Sequence, residues 1–207
     1  PKVVSPTLIT DLVGEVRSLD VVGKYAYLLS YYNVLSDSYN TSTKVLRIVD
    51  ISDPTNPVVV GGSGLTLPTY GRQIQVVGRY AYTIFNAFGT SVGIDDGLLA
   101  NEHFRIIDIS DPTTPLVVGG SDLSFPDSVG IGNAGGPYSI FVTNGLAYIT
   151  QTDQTLKVIN VASSTNPTIK TSVDLDDALL WPVIVSGNYA YIGISASLRS
   201  SASVNVL

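Results

Sequence analysis

Short apolar runs alternating with polar residues fill this chain, and Gly, Asn, Asp and Pro punctuate them, a period-two pattern that predicts half-buried β-strands throughout. One phrase occurs four times: Val21-Val22-Gly23-Lys24-Tyr25-Ala26-Tyr27, Val76-Val77-Gly78-Arg79-Tyr80-Ala81-Tyr82, Val142-Thr143-Asn144-Gly145-Leu146-Ala147-Tyr148 and Val185-Ser186-Gly187-Asn188-Tyr189-Ala190-Tyr191. In each copy an apolar stretch meets a two-residue break, and alternation resumes around Ala-Tyr. Gly and Asn tolerate the positive φ that tight hairpins demand, so the phrase predicts a β-hairpin at each occurrence.

A second phrase follows each of the first three hairpins: Leu46-Arg47-Ile48-Val49-Asp50-Ile51-Ser52-Asp53-Pro54, Phe104-Arg105-Ile106-Ile107-Asp108-Ile109-Ser110-Asp111-Pro112 and Leu156-Lys157-Val158-Ile159-Asn160-Val161. Each reads as a strand running into a turn that ends at Pro57, Pro115 or Pro167, and another strand follows. One unit is thus four consecutive antiparallel strands, a to d. The fourth unit has strands a and b and a strand c over residues 203–207, with Asn205 expected in register with Asn160. Its strand d is missing, whereas residues 4–10, with Val4, Leu8 and Ile9, match the strand-d segments around Pro57 and Pro167. Four-stranded units arranged as blades, with one terminus finishing the blade the other begins, predict an all-β, four-bladed β-propeller. The blades fall near 17–70, 71–137, 138–178, and 179–207 plus 1–16. The N-terminal strand would complete the last blade beside Val204 and Val206, either in cis or in trans from a neighbouring subunit. Within blades, Ala26, Ala81, Ala147 and Ala190 would let sheets approach, and Asp50 and Asp108 would bond nearby backbone.

The paired phrases resemble the LVIVD-repeat family of bacteria and archaea, whose repeats carry a Gly-x-Tyr-Ala-Tyr hairpin and a Leu-x-Ile-Val-Asp-Ile-Ser-Asp-Pro-x-x-Pro strand and turn. The resemblance covers nearly the whole chain, most fully in the first two units. It implies a β-propeller, often on exported or surface proteins, and supplies no catalytic residues.

Loop length varies on one side of the predicted ring. The b–c segments 28–44 and 83–103 are long and 149–155 is short; the d–a segments 61–71 and 119–137 lie on the same side. Insertions gathered on one face mark the binding or assembly face of a repeat protein. Tyr31, Tyr32, Tyr39, Phe85 and Phe88 lie in these segments, either offering contacts to protein or sugar or folding back to pin the loops. Aligning the units also puts Arg17, Arg72, Tyr138 and Trp181 at one position. Around an axis they would form a rim able to hold an acidic or sugar ligand, or would simply stack on one another.

With 207 residues, 44% of them apolar, the chain can bury a core without disulfides or metals. The net charge is −6 with no Lys/Arg cluster, which argues against nucleic acid and anionic membranes as partners. No apolar run is long enough to span a bilayer. The chain opens at Pro1 without Met, as a trimmed mature protein would. It has no Cys and a single His, His103 beside Glu102, so thiolate and multi-His metal sites are out of reach. Hydrolase-elbow, phosphate-loop and dinucleotide fingerprints are missing, and no cofactor is expected. Two acidic knots, Asp95-Asp96-Gly97 and Asp174 with Asp176 and Asp177, could bind Ca²⁺ or act as paired glycosidase carboxylates, but read more simply as solvated turns. Asn40-Thr41-Ser42 is a glycosylation sequon.

These features point to a non-enzymatic, extracellular structural or interaction module of a cell surface or filament, partnered with itself or with other surface proteins and glycans. A glycan- or small-ligand-binding propeller is the alternative, and a carboxylate-dependent hydrolase ranks last.

Overall fold

The computed structural model describes residues 14–36, 39–68, 70–85, 104–121, 123, 125, 136–151, 153–175, 178–196 and 202–206. Their β-branched and aromatic alternation is realised as strands, with no helix among the described residues. The first sheet holds β1 (Glu15–Val22), β2 (Tyr25–Ser36), β3 (Tyr39–Asp50) and β4 (Val58–Thr66). The second holds β5 (Gly71–Val77), β6 (Tyr80–Phe85), β7 (Phe104–Asp108) and β8 (Leu116–Gly119). The third holds β9 (Pro137–Thr143), β10 (Leu146–Gln151), β11 (Thr155–Asn160) and β12 (Thr168–Asp174). The fourth holds β13 (Ala178–Ser186), β14 (Tyr189–Ala196) and β15 (Ala202–Val206). Every strand pairs antiparallel with its sequence neighbour inside its sheet. The inner strands then follow one another, β1 on β5, β5 on β9 and β9 on β13. This is the four-bladed propeller arrangement that the repeats predict.

Local chemistry sets the turns. Val22 pairs with Tyr25, Val77 with Tyr80, Thr143 with Leu146 and Ser186 with Tyr189, so each a–b loop has two residues. Gly23, Gly78 and Gly187 take φ of +61°, +62° and +59° at the first of these, the pattern of a type II′ turn. In the third sheet Asn144 and Gly145 are both positive, as type I′ requires. The c–d turns are held by the Asp or Asn that ends strand c. Asp50 Oδ1 accepts the Ser52 N–H and Asp108 Oδ1 the Ser110 N–H, each at 2.9 Å, and Asn160 Oδ1 accepts the Ala162 N–H at 3.0 Å.

Apolar layers fill the gaps between sheets. Tyr27, Leu29, Leu46 and Ile48 meet Ile74, Val76, Ala81 and Ile107; Tyr82, Ile84, Phe104 and Ile106 meet Ile140, Val142, Ala147 and Ile159. A smaller layer joins Leu156 and Val158 to Val183, Ala190 and Ile192. The buried Ala81, Ala147 and Ala190 sit inside these layers, where a larger side chain would hold the sheets apart.

Four expectations need correction. The b–c segment of the first unit is not a loop, because β2 and β3 pair continuously from Tyr25↔Asp50 to Ser36↔Tyr39. Val34, Thr41, Thr43 and the tyrosines continue the β-favouring alternation that a loop reading set aside. The d–a segment is likewise strand as far as Thr66, through the positive-φ glycines Gly61, Gly62 and Gly64. Phe85 is no interaction-loop residue: it ends β6 and is fully buried in the first layer. Finally, Asn205 pairs with Ile192, whereas Asn160 pairs with Leu146, the counterpart of Tyr189. Val204-Asn205-Val206 therefore takes the register of Leu46-Arg47-Ile48, because a short alternating run fits either register and apolar spacing alone does not choose. Val4, Leu8 and Ile9 lie outside the described residues.

Candidate functional site

The sheet junctions are built from a polar clamp. Strand a is the inner edge of its sheet, so alternate N–H groups along it have no ladder partner. The preceding sheet supplies acceptors. Ser18 Oγ accepts the Ile74 N–H at 3.2 Å, and Asp20 Oδ2 accepts the Val76 N–H at 2.7 Å. One sheet on, Gln73 Oε1 accepts from Ile140 at 3.0 Å and Gln75 Oε1 from Val142 at 2.6 Å, while Gln75 Nε2 donates to the Val142 carbonyl at 3.2 Å. At the third junction only Ser139 Oγ acts in this way, accepting from Val183 at 3.4 Å, because Phe141 stands where Asp20 and Gln75 stand. In the fourth sheet both positions are apolar, Pro182 and Ile184. The Val21 N–H on the first sheet is instead taken by Asp20 Oδ1 from its own strand at 2.8 Å.

The predicted rim resolves into intramolecular pairs. The Arg72 guanidinium lies over the Tyr138 ring, 3.8 Å from its centroid, and its Nε donates to the Tyr138 carbonyl at 2.7 Å. Burial lowers its proton affinity, with Tyr138 opposing and the Arg17 charge adding to the effect. Arg17 belongs to a different group. It donates to the Tyr31 hydroxyl at 3.0 Å, pairs with Glu15 and lies 5.1 Å from the Tyr31 ring centroid. Tyr31 also donates to Glu15 and meets Tyr70 edge-on, with centroids 4.9 Å apart, while Lys44 sits over Tyr70. This aromatic and charged cluster stands at the base of the long β2–β3 arm. Tyr32 and Tyr39 lie farther out on its strands, opposite Thr43 and Ser36. Asn40 of the sequon is on the same arm, opposite Leu35. Trp181 is on β13.

Charge at the turns follows the repeat. Lys24 Nζ bonds Asp50 Oδ2 at 3.1 Å, and Arg79 pairs with Asp108. Hydrogen bonds from Ser52 and then Lys24 hold the Asp50 carboxyl down to about 2, and bonds from Arg79 and then Ser110 do the same for Asp108. These carboxylates serve turns, as the repeat reading expects. Among the described residues no group of three or more His, Cys, Asp or Glu could hold a metal. Asp174 ends β12. Asp95, Asp96, Asp176, Asp177, Phe88, Glu102 and His103 lie outside the described residues.

Two features escaped the sequence reading although their signal is present. The clamp is spelled by the tetrads Ser18-Leu19-Asp20-Val21, Gln73-Ile74-Gln75-Val76, Ser139-Ile140-Phe141-Val142 and Pro182-Val183-Ile184-Val185, whose polar slots empty along the chain. The second feature is a row of buried cations, Arg47, Arg105 and Lys157, one in each complete strand c. Arg105 Nη1 donates to the Phe104 carbonyl at 2.8 Å, so its charge stays solvated by backbone.

Solved structures share the fold at low identity. The computationally designed Ika4 protein is 9% identical, with 94% of this chain and 91% of that one covered and a TM-score of 0.55. The designed Ika8 protein is 11% identical, with 92% and 45% covered and a TM-score of 0.54. A Bacteroides uniformis protein assigned as a 6-phosphogluconolactonase is 13% identical, with 92% and 56% covered and a TM-score of 0.59. The chain thus spans about half the length of the latter two. No curated protein matches in sequence. The LVIVD repeat pattern matches residues 34–63, 99–122, 134–175 and 181–198, together more than half of the chain. Repeats, hairpins and sheet order agree, and this chain belongs to the LVIVD-repeat family.

Proposed function

We propose that this chain is a non-catalytic structural and interaction module of a cell surface or extracellular filament, associating with itself or with other surface molecules. The observation that carries this reading is the β2–β3 arm. Both its strands are twelve residues long, whereas β6, β7, β10 and β11 have six, five, six and six. A paired extension of this kind adds little to a blade that is already complete, and its sequence is rich in tyrosine, serine and threonine, a composition suited to contacts with other molecules. The family resemblance to exported and surface proteins supports the location. On this reading residues 1–13 supply the fourth strand of the last sheet, in cis or from a neighbour.

Native mass measurement and negative-stain microscopy of the purified full chain test the proposal. Oligomers or filaments that are lost when residues 31–44 are replaced by an Asn-Gly turn are expected. A chain that stays monomeric at all concentrations, and that the arm replacement leaves unaltered in every association measured, would overturn it.

A second reading, a glycan-binding propeller, draws on the Tyr31–Tyr70 cluster, where aromatic faces stand beside Arg17, Glu15 and Lys44. Glycan-array binding abolished by Tyr70→Ala would favour it.

A further inference from the structure

Counterpart residues in the four sheets differ in burial, and the differences collect at one place. Leu19 is 59% exposed, whereas Ile74, Ile140 and Val183 in the same slot are 3%, 1% and 2% exposed. Val21 is 49% exposed, against 7% for Val76 and 5% for Val142. These slots face the preceding sheet. Among slots facing the following sheet, Tyr27 and Tyr82 are both 5% exposed, but Tyr191 is 38%. Ile184, in the slot of Asp20 and Gln75, is 57% exposed. Among the described residues, sheet one thus lacks cover on its preceding side along its inner strand, and sheet four lacks it on its following side. Leu28 and Val49 on the same side of sheet one are buried, which confines the opening to the inner strand.

Resting on the reading of this chain as a self-associating module, we propose that these strips are the two halves of a joint between copies. Sheet four of one molecule packs against the inner strand of sheet one of the next, in the manner the chain uses between its own consecutive sheets. The described residues of the molecule's own fourth sheet leave Leu19 and Val21 uncovered. One edge donor of this strip, the Val21 N–H, is already satisfied without a partner molecule. Asp20 satisfies the Val21 N–H from within sheet one, and Pro182 and Ile184 bring no acceptor. Register also pairs Val206 with Tyr191 and Val204 with Gly193, as Ile48 pairs with Tyr27 and Leu46 with Leu29. The halves differ and lie on separate sheets of one chain, so the contact is heterologous and propagates into open assemblies.

The chain contains no cysteine, so cross-linking has no background. By the clamp geometry, position 184 of one molecule should meet position 21 of the next, as Gln75 meets Val142 within one chain. Mixing Ile184→Cys chains with Val21→Cys chains under oxidation should give a disulfide-linked mixed dimer, and the double variant a ladder. Gln75→Cys/Val142→Cys should close within one chain and show that the geometry permits a bond. In addition, Leu19→Asp should raise the self-dissociation constant at least tenfold while leaving the circular dichroism spectrum unchanged. An internally bonded monomer from the double variant, without any mixed dimer, would overturn the proposal and assign the joint to ring closure. Assemblies that form normally while positions 21 and 184 stay uncross-linked would also overturn it, but would leave self-association standing. Failure of both assembly and cross-linking would remove the two together.

Discussion

Gly119 shows what a single position contributes to the joints. It has no unusual φ, but a Cβ added there would lie 2.0 Å from the Ser164 carbonyl oxygen, on the c–d turn of the next sheet. Its counterpart Gly61 makes the same approach to Thr113. In the third sheet the slot is Thr171, on a strand that no turn covers. Gly119→Ala should therefore cost about 2–3 kcal/mol, since backbone cannot yield as a side chain does, whereas Thr171→Ala should stay within about 0.5 kcal/mol. Thermal melting of the two variants checks the contrast. The turn carboxylates give a second test. Asp108 binds its proton less tightly when folded, about 2 against the ordinary 3.8, so its stabilising contribution is complete above 3.8 and is lost as pH falls toward 2. The melting-temperature gap between the native chain and Asp108→Asn should therefore be flat near neutral pH and close in acid. A gap that widened in acid would refute the assigned pairing.

At the scale of strands, the clamp sets how firmly one sheet holds the next. Gln75→Ala strands the Val142 N–H in a buried layer and should cost about 1–2 kcal/mol, while Gln75→Glu keeps the acceptor and should recover part of it. Urea unfolding should show a lower midpoint with an unchanged slope. Much of this level was legible in the sequence. The four hairpins, their two-residue turns and the Asp-led c–d turns follow from glycine placement and alternation, because those signals are local. The arm was misread because a long hairpin and a polar loop share the same Ser, Thr, Asn and Tyr, and only cross-strand pairing separates them. The register of β15 escapes for a related reason: in a run as short as Val204-Asn205-Val206, nothing local fixes which valines pair with which partners. The contacts of the rim residues are not legible in the sequence, because Arg72 reaches the next sheet whereas Arg17 bends back to Tyr31 on its own. The clamp is visible in the sequence as alternation, yet its partners are backbone groups more than forty residues away.

Across the whole molecule, and among the described residues, sheets two and three are enclosed on both sides and sheet four on one. Local opening follows such differences in packing. Amide exchange along β14 should therefore outpace that along β6 and β10, as read by mass spectrometry of peptides from each strand. Equal protection in all three strands would mean that the last sheet is as firmly closed as the others.

The clamp also gives the ring a direction. Each clamping side chain belongs to the earlier sheet and each of its partners is a main-chain group of the later one, so the clamp needs no particular residue in the later sheet. The polar part of each joint is written in the predecessor. A unit could in principle be duplicated, or the order of strong and weak hinges rearranged, by editing two positions upstream while its successor stays untouched. Such an arrangement lets a repeat array acquire a weak point without redesigning the units on either side of it.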